Sequence, residues 1–205
     1  MAWMSVNLVY TLILNLWKGK LGFKEANDKI IFTSWSILQK FIYIKVRELM
    51  EKIKNLALVA HDNRKADLIE WVGKNYESIM HHKWICTGTT GSLIEESLKK
   101  KLSNEKKSKL SKTITKLKSG PLGGDQQLGA LIVDGKVDAV IFLWDPMQAQ
   151  PHDVDVKALL RIAVVYNVPM ACNRATADFL ISSPLLNEPY QPIIKDYSVY
   201  INRSI

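Results

Sequence analysis

Leu56-Ala-Leu-Val-Ala-His-Asp-Asn-Arg-Lys65 sets five apolar residues directly against a run of polar and charged ones. The apolar run is too short for a stable helix and fits a strand buried on both faces. Beyond it, Asn63–Met80 repeats its apolar residues at helical spacing. The same succession recurs down the chain. Trp84–Cys86, Ala139–Trp144 and Val168–Cys172 read as further short buried strands. Gly91–Leu98, Asp125–Asp134 and Val154–Tyr166 read as helices, with shorter ones over Ala175–Ile181 and Asp196–Asn202. This alternation is the pattern of βα units wound around a parallel sheet. Pro146, Pro151, Pro169 and Pro184 all fall at junctions, where a fixed φ and a missing N–H do no harm.

Composition agrees with a folded α/β chain. Of 205 residues, 47% are hydrophobic and 23% charged, which excludes disordered and collagen-like classes. The length fits one domain with additions. A net charge of +8 would ordinarily point to a polyanion partner, but its location argues otherwise. Residues 99–118 hold nine lysines and one Glu, and the rest of the chain balances 19 basic against 19 acidic residues. The stretch has no interleaved aromatics for stacking on bases, so neither nucleic acid nor a membrane is expected as partner. Cys86 and Cys172 lack metal-ligand or CxxC spacing and read as reduced, buried thiols.

Residues 1–49 fit the alternation poorly. Met1–Trp17 carries no charge, yet 17 residues interrupted by Asn7, Thr11 and Asn15 are at the lower limit for a bilayer span. The segment also lacks the basic start and small-residue cleavage site of a secretory signal. Ile30–Leu49 is amphipathic, as one helix or two short elements. Met50-Glu-Lys-Ile-Lys-Asn-Leu opens like the start of an ordinary α/β protein, so residues 1–49 are expected to be an N-terminal extension, not necessarily native, before a domain over 50–205.

Ligands of an open parallel sheet bind beyond the carboxyl ends of its strands, and here each such end is chemically equipped. The first strand runs into His61, Asp62, Asn63, Arg64 and Lys65; the second into Thr87-Gly-Thr-Thr-Gly91. Ala139–Trp144 leads to Asp145-Pro146 and then to Pro151-His-Asp-Val-Asp155. Thr87, Gly88, Thr89, Thr90 and Gly91 read as an anion cradle, because glycines turn backbone N–H groups outward and the next helix begins there. Lys65, one turn past His61, is placed to supply a countercharge. This is not the GxxxxGK[ST] loop, so a nucleoside triphosphate is not implied. Ser119-Gly-Pro-Leu-Gly-Gly-Asp-Gln-Gln127 fixes a tight backbone ahead of another helix. Asp125 is there either an N-cap or a rigidly held carboxylate aimed at the sheet edge. Asp153 and Asp155 are open to the same two readings, and His61 to a capping role. No spacing supports a metal site built from His61, His152 and the aspartates.

Taken in order, these motifs resemble methylglyoxal synthase, over roughly residues 54–200. The resemblance rests on Leu56–Asn63, Thr87–Gly91, Ser119–Gln127, Phe142-Leu-Trp-Asp-Pro146, Gln150-Pro-His-Asp-Val-Asp-Val-Lys-Ala-Leu159 and Ala175-Thr-Ala-Asp-Phe179. It implies a three-layer α/β/α fold on a five-stranded parallel sheet, a cytoplasmic homohexamer, and no cofactor. It implies conversion of dihydroxyacetone phosphate to methylglyoxal and inorganic phosphate, with phosphate also an inhibitor. The resemblance assigns the base to Asp125, oxyanion stabilisation and proton relay to His152, and substrate orientation to His61. Asp145 and Asp155 would orient the histidines. Phosphate would lie on Lys65, Thr87, Gly88, Thr89, Thr90, Ser119 and Gly120. An aspartate of ordinary pKa, about 3.9, is a weak base for this task, so oxyanion stabilisation is expected to carry most of the barrier reduction.

Two departures stand out. The chain between Thr90 and Ser119 is about a dozen residues longer than the family pattern, an insertion a fold tolerates cheaply. Arg203 sits one position off an arginine that family members direct into a neighbouring subunit's site. Regulatory domains of the same fold class bind anions without catalysis, and Asp125 with His152 is what separates an enzyme from such a sensor. The lysines of the insertion are expected, at most, to draw an anionic substrate towards the site.

Overall fold

The computed structural model describes residues 52–149 and 152–202, together with Lys40, Ile42, Ile44 and Lys45. The expectations for residues 1–39, Met50, Gln150, Pro151 and Arg203 lie outside the described residues. The chain divides into two compact units, Met1–Arg47 and Glu48–Ile205; the account below concerns the second.

Five parallel strands form one sheet in the order β3-β2-β1-β4-β5: β1 Asn55–Ala60, β2 Lys83–Cys86, β3 Ile114–Lys116, β4 Ala139–Leu143 and β5 Met170–Ala171. The helices are α1 Lys65–Ile79, α2 Gly88–Lys99, α3 Asn104–Thr113, α4 Gly124–Val133, α5 Asp153–Val165, α6 Arg174–Ser182 and the single turn α7 Ser198–Ile201. No described helix is long and apolar enough to cross a membrane.

Strand side chains alternate between two faces, and each face builds its own core. Leu56, Leu58 and Ala60 of β1, Trp84 and Cys86 of β2, and Ile141 and Leu143 of β4 pack against α1, α2, α3 and α6. Ala57, Val59, Ile85, Val140 and Phe142 face the other way, onto Leu128 and Ile132 of α4 and Val156, Leu159 and Ala163 of α5. The result is the expected three-layer α/β/α sandwich, its strands apolar on both sides because both sides are covered. Two indoles staple the first layer: Trp84 Nε1 donates to the Ile79 carbonyl at 3.0 Å, and Trp71 Nε1 to Asp178 at 2.7 Å.

From β1 the chain steps outward through β2 to β3, then returns to the far side of β1 as β4. Strand order therefore reverses between β1 and β4, and a crevice opens beyond their carboxyl ends. The backbone marks the place: His61 N–H donates to the Leu143 carbonyl at 3.2 Å.

Two expectations are corrected here. The lysine-rich stretch, expected only as an insertion, contains α3 and the strand β3. Ile114-Thr-Lys116 has one neighbour strand and one half-buried apolar residue, so no hydrophobic run announces it. Leu110 of α3 is buried, and Glu95 of α2 gathers Lys99 (2.6 Å), Lys116 (2.6 Å) and Ser111 (2.7 Å). Those three partners hold the Glu95 carboxyl down to about 2. Lys100 pairs with Glu96, and Lys106 with Glu77 of α1. Much of the apparent positive patch is thus already matched. The second correction concerns α2, which begins at Gly88 and not Gly91, with Thr87 as its N-cap. Gly91 lies inside the helix for a packing reason: a Cβ there would stand 2.8 Å from the Cβ of Cys86.

Candidate active site

The crevice at the β1/β4 reversal is a pocket of about 280 Å³. It is lined by His61, Asp62 and Lys65 after β1, Thr87 and Thr89 at the start of α2, Ser119, Gly120 and Pro121 after β3, Asp125 of α4, and His152 before α5, with Val59 and Phe142 as apolar walls. Four separate loops thereby converge on one volume. Of the residues named from sequence, Gly88, Thr90, Asp145 and Asp155 do not line it.

Each of those four has a definite place. Gly88 N–H donates to the Lys118 carbonyl at 3.2 Å, which ties α2 to the Ser119 loop. Thr90 is fully buried and accepts the Thr87 hydroxyl at 3.2 Å. Of the Thr87–Gly91 segment, Thr87 and Thr89 therefore line the pocket, at a helix start whose first-turn amides have no intrahelical acceptor. Asp155, half-buried in the first turn of α5, acts on Asp125 through its charge. Asp145 works through its backbone: its N–H donates to His61 Nδ1 at 3.3 Å, while its carboxylate accepts from Met147 N–H at 3.0 Å and Asn63 Nδ2 at 3.2 Å.

The bond from Asp145 fixes the His61 tautomer. An Nδ1 that accepts a hydrogen bond is unprotonated, so the proton of the neutral ring sits on Nε2. Burial pushes the His61 pKa below its ordinary value, with the neighbouring His152 acting in the same direction and the Asp125 charge opposing both. His61 thus presents a neutral N–H donor at the pocket. Its ring lies edge-on to Phe142 and His152, with centroids 5.2 and 5.7 Å away.

Asp125 is not a cap. The N-cap of α4 is Gly123, in the left-handed region at φ 96°, and Asp125 makes no capping bond. Its carboxylate is buried, with Oδ2 3.7 Å from His152 Nε2. Burial pushes its pKa up; the nearby histidines pull down, and Asp155 adds to the rise. The premise of an ordinary, weakly basic aspartate is corrected accordingly. Gly120 lies against both members of the pair, since a Cβ there would stand 3.1 Å from Asp125 Oδ2 and 3.2 Å from His152 Nε2.

Buried polar atoms are nearly always satisfied, so exceptions are informative. Among the described residues, four buried side-chain atoms lack a hydrogen-bond partner, and three of them are His61 Nε2, Asp125 Oδ2 and His152 Nδ1. Clustered in one crevice, they read as groups held for a ligand. Lys65, mostly buried, pairs with the exposed Asp62 at 2.5 Å, which holds the Asp62 carboxyl below its usual range. Sequence reasoning places Asp62 at the strand end but gives it no role, although its i,i+3 spacing to Lys65 is a usable signal. Among the described residues no group of three or more His, Cys, Asp or Glu is arranged to hold a metal ion.

Comparison with known proteins meets this geometry. A family model described as the MGS-like domain matches residues 67–172, a segment holding Thr87, Asp125 and His152. The chain is 51% identical over 157 residues to a methylglyoxal synthase of Maridesulfovibrio salexigens, covering 76% of this chain and 100% of that relative. It is 52% identical over 153 residues to one of Coxiella burnetii, covering 75% and 99%. The crystal structure of methylglyoxal synthase from Elizabethkingia anophelis superposes with a TM-score of 0.66 at 51% identity, over 75% of this chain and 93% of that one. With half of the aligned positions identical across nearly the whole of each relative, and the fold shared, the chain belongs to the methylglyoxal synthase family.

Proposed function

We propose that this chain is a lyase that converts dihydroxyacetone phosphate to methylglyoxal and inorganic phosphate. The observation that carries the reading is Asp125: a buried carboxylate with raised pKa and an unpartnered oxygen, facing two histidines beside an anion cradle. A sensor of anions needs the cradle but has no use for a desolvated base.

Asp125 takes the carbon-bound proton next to the ketone, and its electron pair becomes the enediolate. Raised basicity narrows the gap to so weak a carbon acid. His61 Nε2–H and His152 donate to the developing oxyanion from fixed positions in a desolvated pocket, where such bonds count for most. His61 stays neutral, so it polarises the oxygen without having first to give up a charge. The enediolate then expels phosphate as the bridging C–O bond breaks, leaving the enol of methylglyoxal, which His152 helps to ketonise by relaying a proton. Elimination is favoured when that C–O bond stands perpendicular to the enediolate plane. Thr87, Thr89, Ser119 and Lys65 hold the phosphate in this orientation and stabilise it as it leaves. Inorganic phosphate occupies the same cradle as product inhibitor, and the working form is a cytoplasmic homohexamer. Lys99, Lys100, Lys106 and Lys116 are already paired, so steering by the lysine-rich stretch falls to its other lysines.

Incubation of purified protein with dihydroxyacetone phosphate, with both products assayed, tests the reading. Equal amounts of methylglyoxal and phosphate are expected; if neither forms, the chain is an anion sensor. Gly120→Ala gives a sharper check of the geometry. Its methyl group displaces Asp125 and His152 by a few tenths of an ångström, and kcat/KM is expected to fall about tenfold, short of the roughly 100-fold that a full 1 Å misplacement can cost. Steady-state kinetics alongside a melting curve separate this from loss of fold.

A further inference from the structure

The loop that delivers His152 is tied down by a residue on another element. Of the loop after β4, Trp144–Ala149 is described, and its ties to the rest of the chain run to the turn after β1. His61 Nδ1 takes the Asp145 N–H, and the Asn63 side-chain amide donates both to Asp145 Oδ2 at 3.2 Å and to Gln148 Oε1. Asn63 itself is exposed and touches nothing in the pocket. One amide group thus grips two points of the loop, three residues apart, a few residues before His152.

We propose that Asn63 is a positioning residue: its carboxamide clamps the Asp145–Gln148 segment so that His61 keeps its Nδ1 bond and His152 stays opposite Asp125. The proposal deepens the lyase reading and rests on it for its kinetic part. Without the clamp, the Asp145 carboxylate keeps only the Met147 N–H, and the segment loses its side-chain tie through Gln148. Both histidines then sample orientations in which oxyanion donors point away from the substrate. The phosphate cradle, on α2, the Ser119 loop and Lys65, takes no bond from the Asn63 carboxamide, whose partners are Asp145 and Gln148.

The test is a double-mutant cycle of Asn63→Ala and Gln148→Ala. Asn63→Ala is expected to lower kcat about tenfold with KM for dihydroxyacetone phosphate within twofold, and adding Gln148→Ala should cost little more, because the two act as one contact. Asn63→Asp, which sets a carboxylate against Asp145, should be worse than Asn63→Ala at neutral pH and recover towards it as the pH falls. Independent or absent kcat effects, or a KM change as large as the kcat change, would overturn the clamp. A readout without substrate separates this from the function itself: ¹⁵N spectra of the histidine rings should show His61 losing its fixed Nε2–H tautomer in Asn63→Ala. Unchanged ring signals sink the positioning role whatever the turnover. Altered ring signals in a protein whose wild type makes no methylglyoxal sink the lyase reading and leave the clamp standing.

Discussion

Asp125→Asn is expected to lower kcat by about three orders of magnitude, within the usual range for loss of a positioned general base. The amide is nearly isosteric and keeps a polar group beside His152 and Gly120, so the pocket should hold its shape. Binding of inorganic phosphate, measured by calorimetry, should stay within a few-fold of wild type, because Thr87, Thr89, Ser119 and Lys65 lie on other elements. Stability supplies a second and opposite readout. A buried carboxylate whose pKa is raised by desolvation is a cost to the folded state at neutral pH, so the variant should melt at the same temperature as wild type or higher. Residual turnover within tenfold of wild type would move the base elsewhere, with Asp155 the next carboxylate to try.

The second large effect lies on the opposite edge of the sheet and involves no catalysis. His82 is fully buried just before β2, its Nδ1 accepts the Lys54 N–H at 3.2 Å, and its Nε2 has no partner among the described residues. Burial, with Lys54 and the adjacent His81 helping, pushes its pKa from 6.5 down to about 4. The folded state therefore refuses a proton that the unfolded chain accepts. Stability is full above about pH 6.5 and declines as the pH falls through 6.5 towards 4, a loss of about 3 kcal/mol. For a chain of this size that is about 6–12 °C in melting temperature. His82→Asn keeps an acceptor near Nδ1 and removes the titration, so its melting temperature should fall less steeply across this window. Denaturation curves at half-unit pH steps on both proteins decide the matter; parallel slopes would clear His82.

Much of the architecture was open to sequence reasoning, because buried parallel strands write themselves as apolar runs. Leu56–Ala60 and Ala139–Leu143 are the two central strands and the two plainest runs. The strand that stayed hidden, Ile114–Lys116, is held from one side by Trp84–Cys86 and is polar wherever it meets solvent, so its pairing cannot be read locally. The boundary of α2 was misjudged for a related reason. Thr and Gly look like loop residues, but Thr89, Thr90 and Gly91 fit the first turn of a helix that must approach Cys86 closely. At the site, residue identity was informative and residue role was less so. Asp145 reads as an acid in the sequence, yet it meets His61 through its peptide N–H. Asn63 stands in the sequence beside the site residues, but its clamping role carries no signal, since its partners lie 82 and 85 positions away. The shift at Asp125 depends on burial, which only the packed fold supplies.

The place of β3 has a consequence for how the crevice wears under stress. One wall descends from β1 and β4, the middle of the sheet, each flanked by strands on both sides. The other wall, Ser119 and Gly120, hangs from a three-residue edge strand paired on one side only, to β2, and tied to α2 by the Glu95 cluster. Proteins open in parts, the least buried first. Partial opening should therefore begin at the edge, releasing the Ser119 and Gly120 side of the phosphate cradle while the histidine side stays folded. Salt that loosens Glu95 from its lysines would then erode substrate grip before the chain unfolds as a whole. A surface ion-pair cluster, remote from the chemistry, would in this way help to keep the pocket closed on both sides.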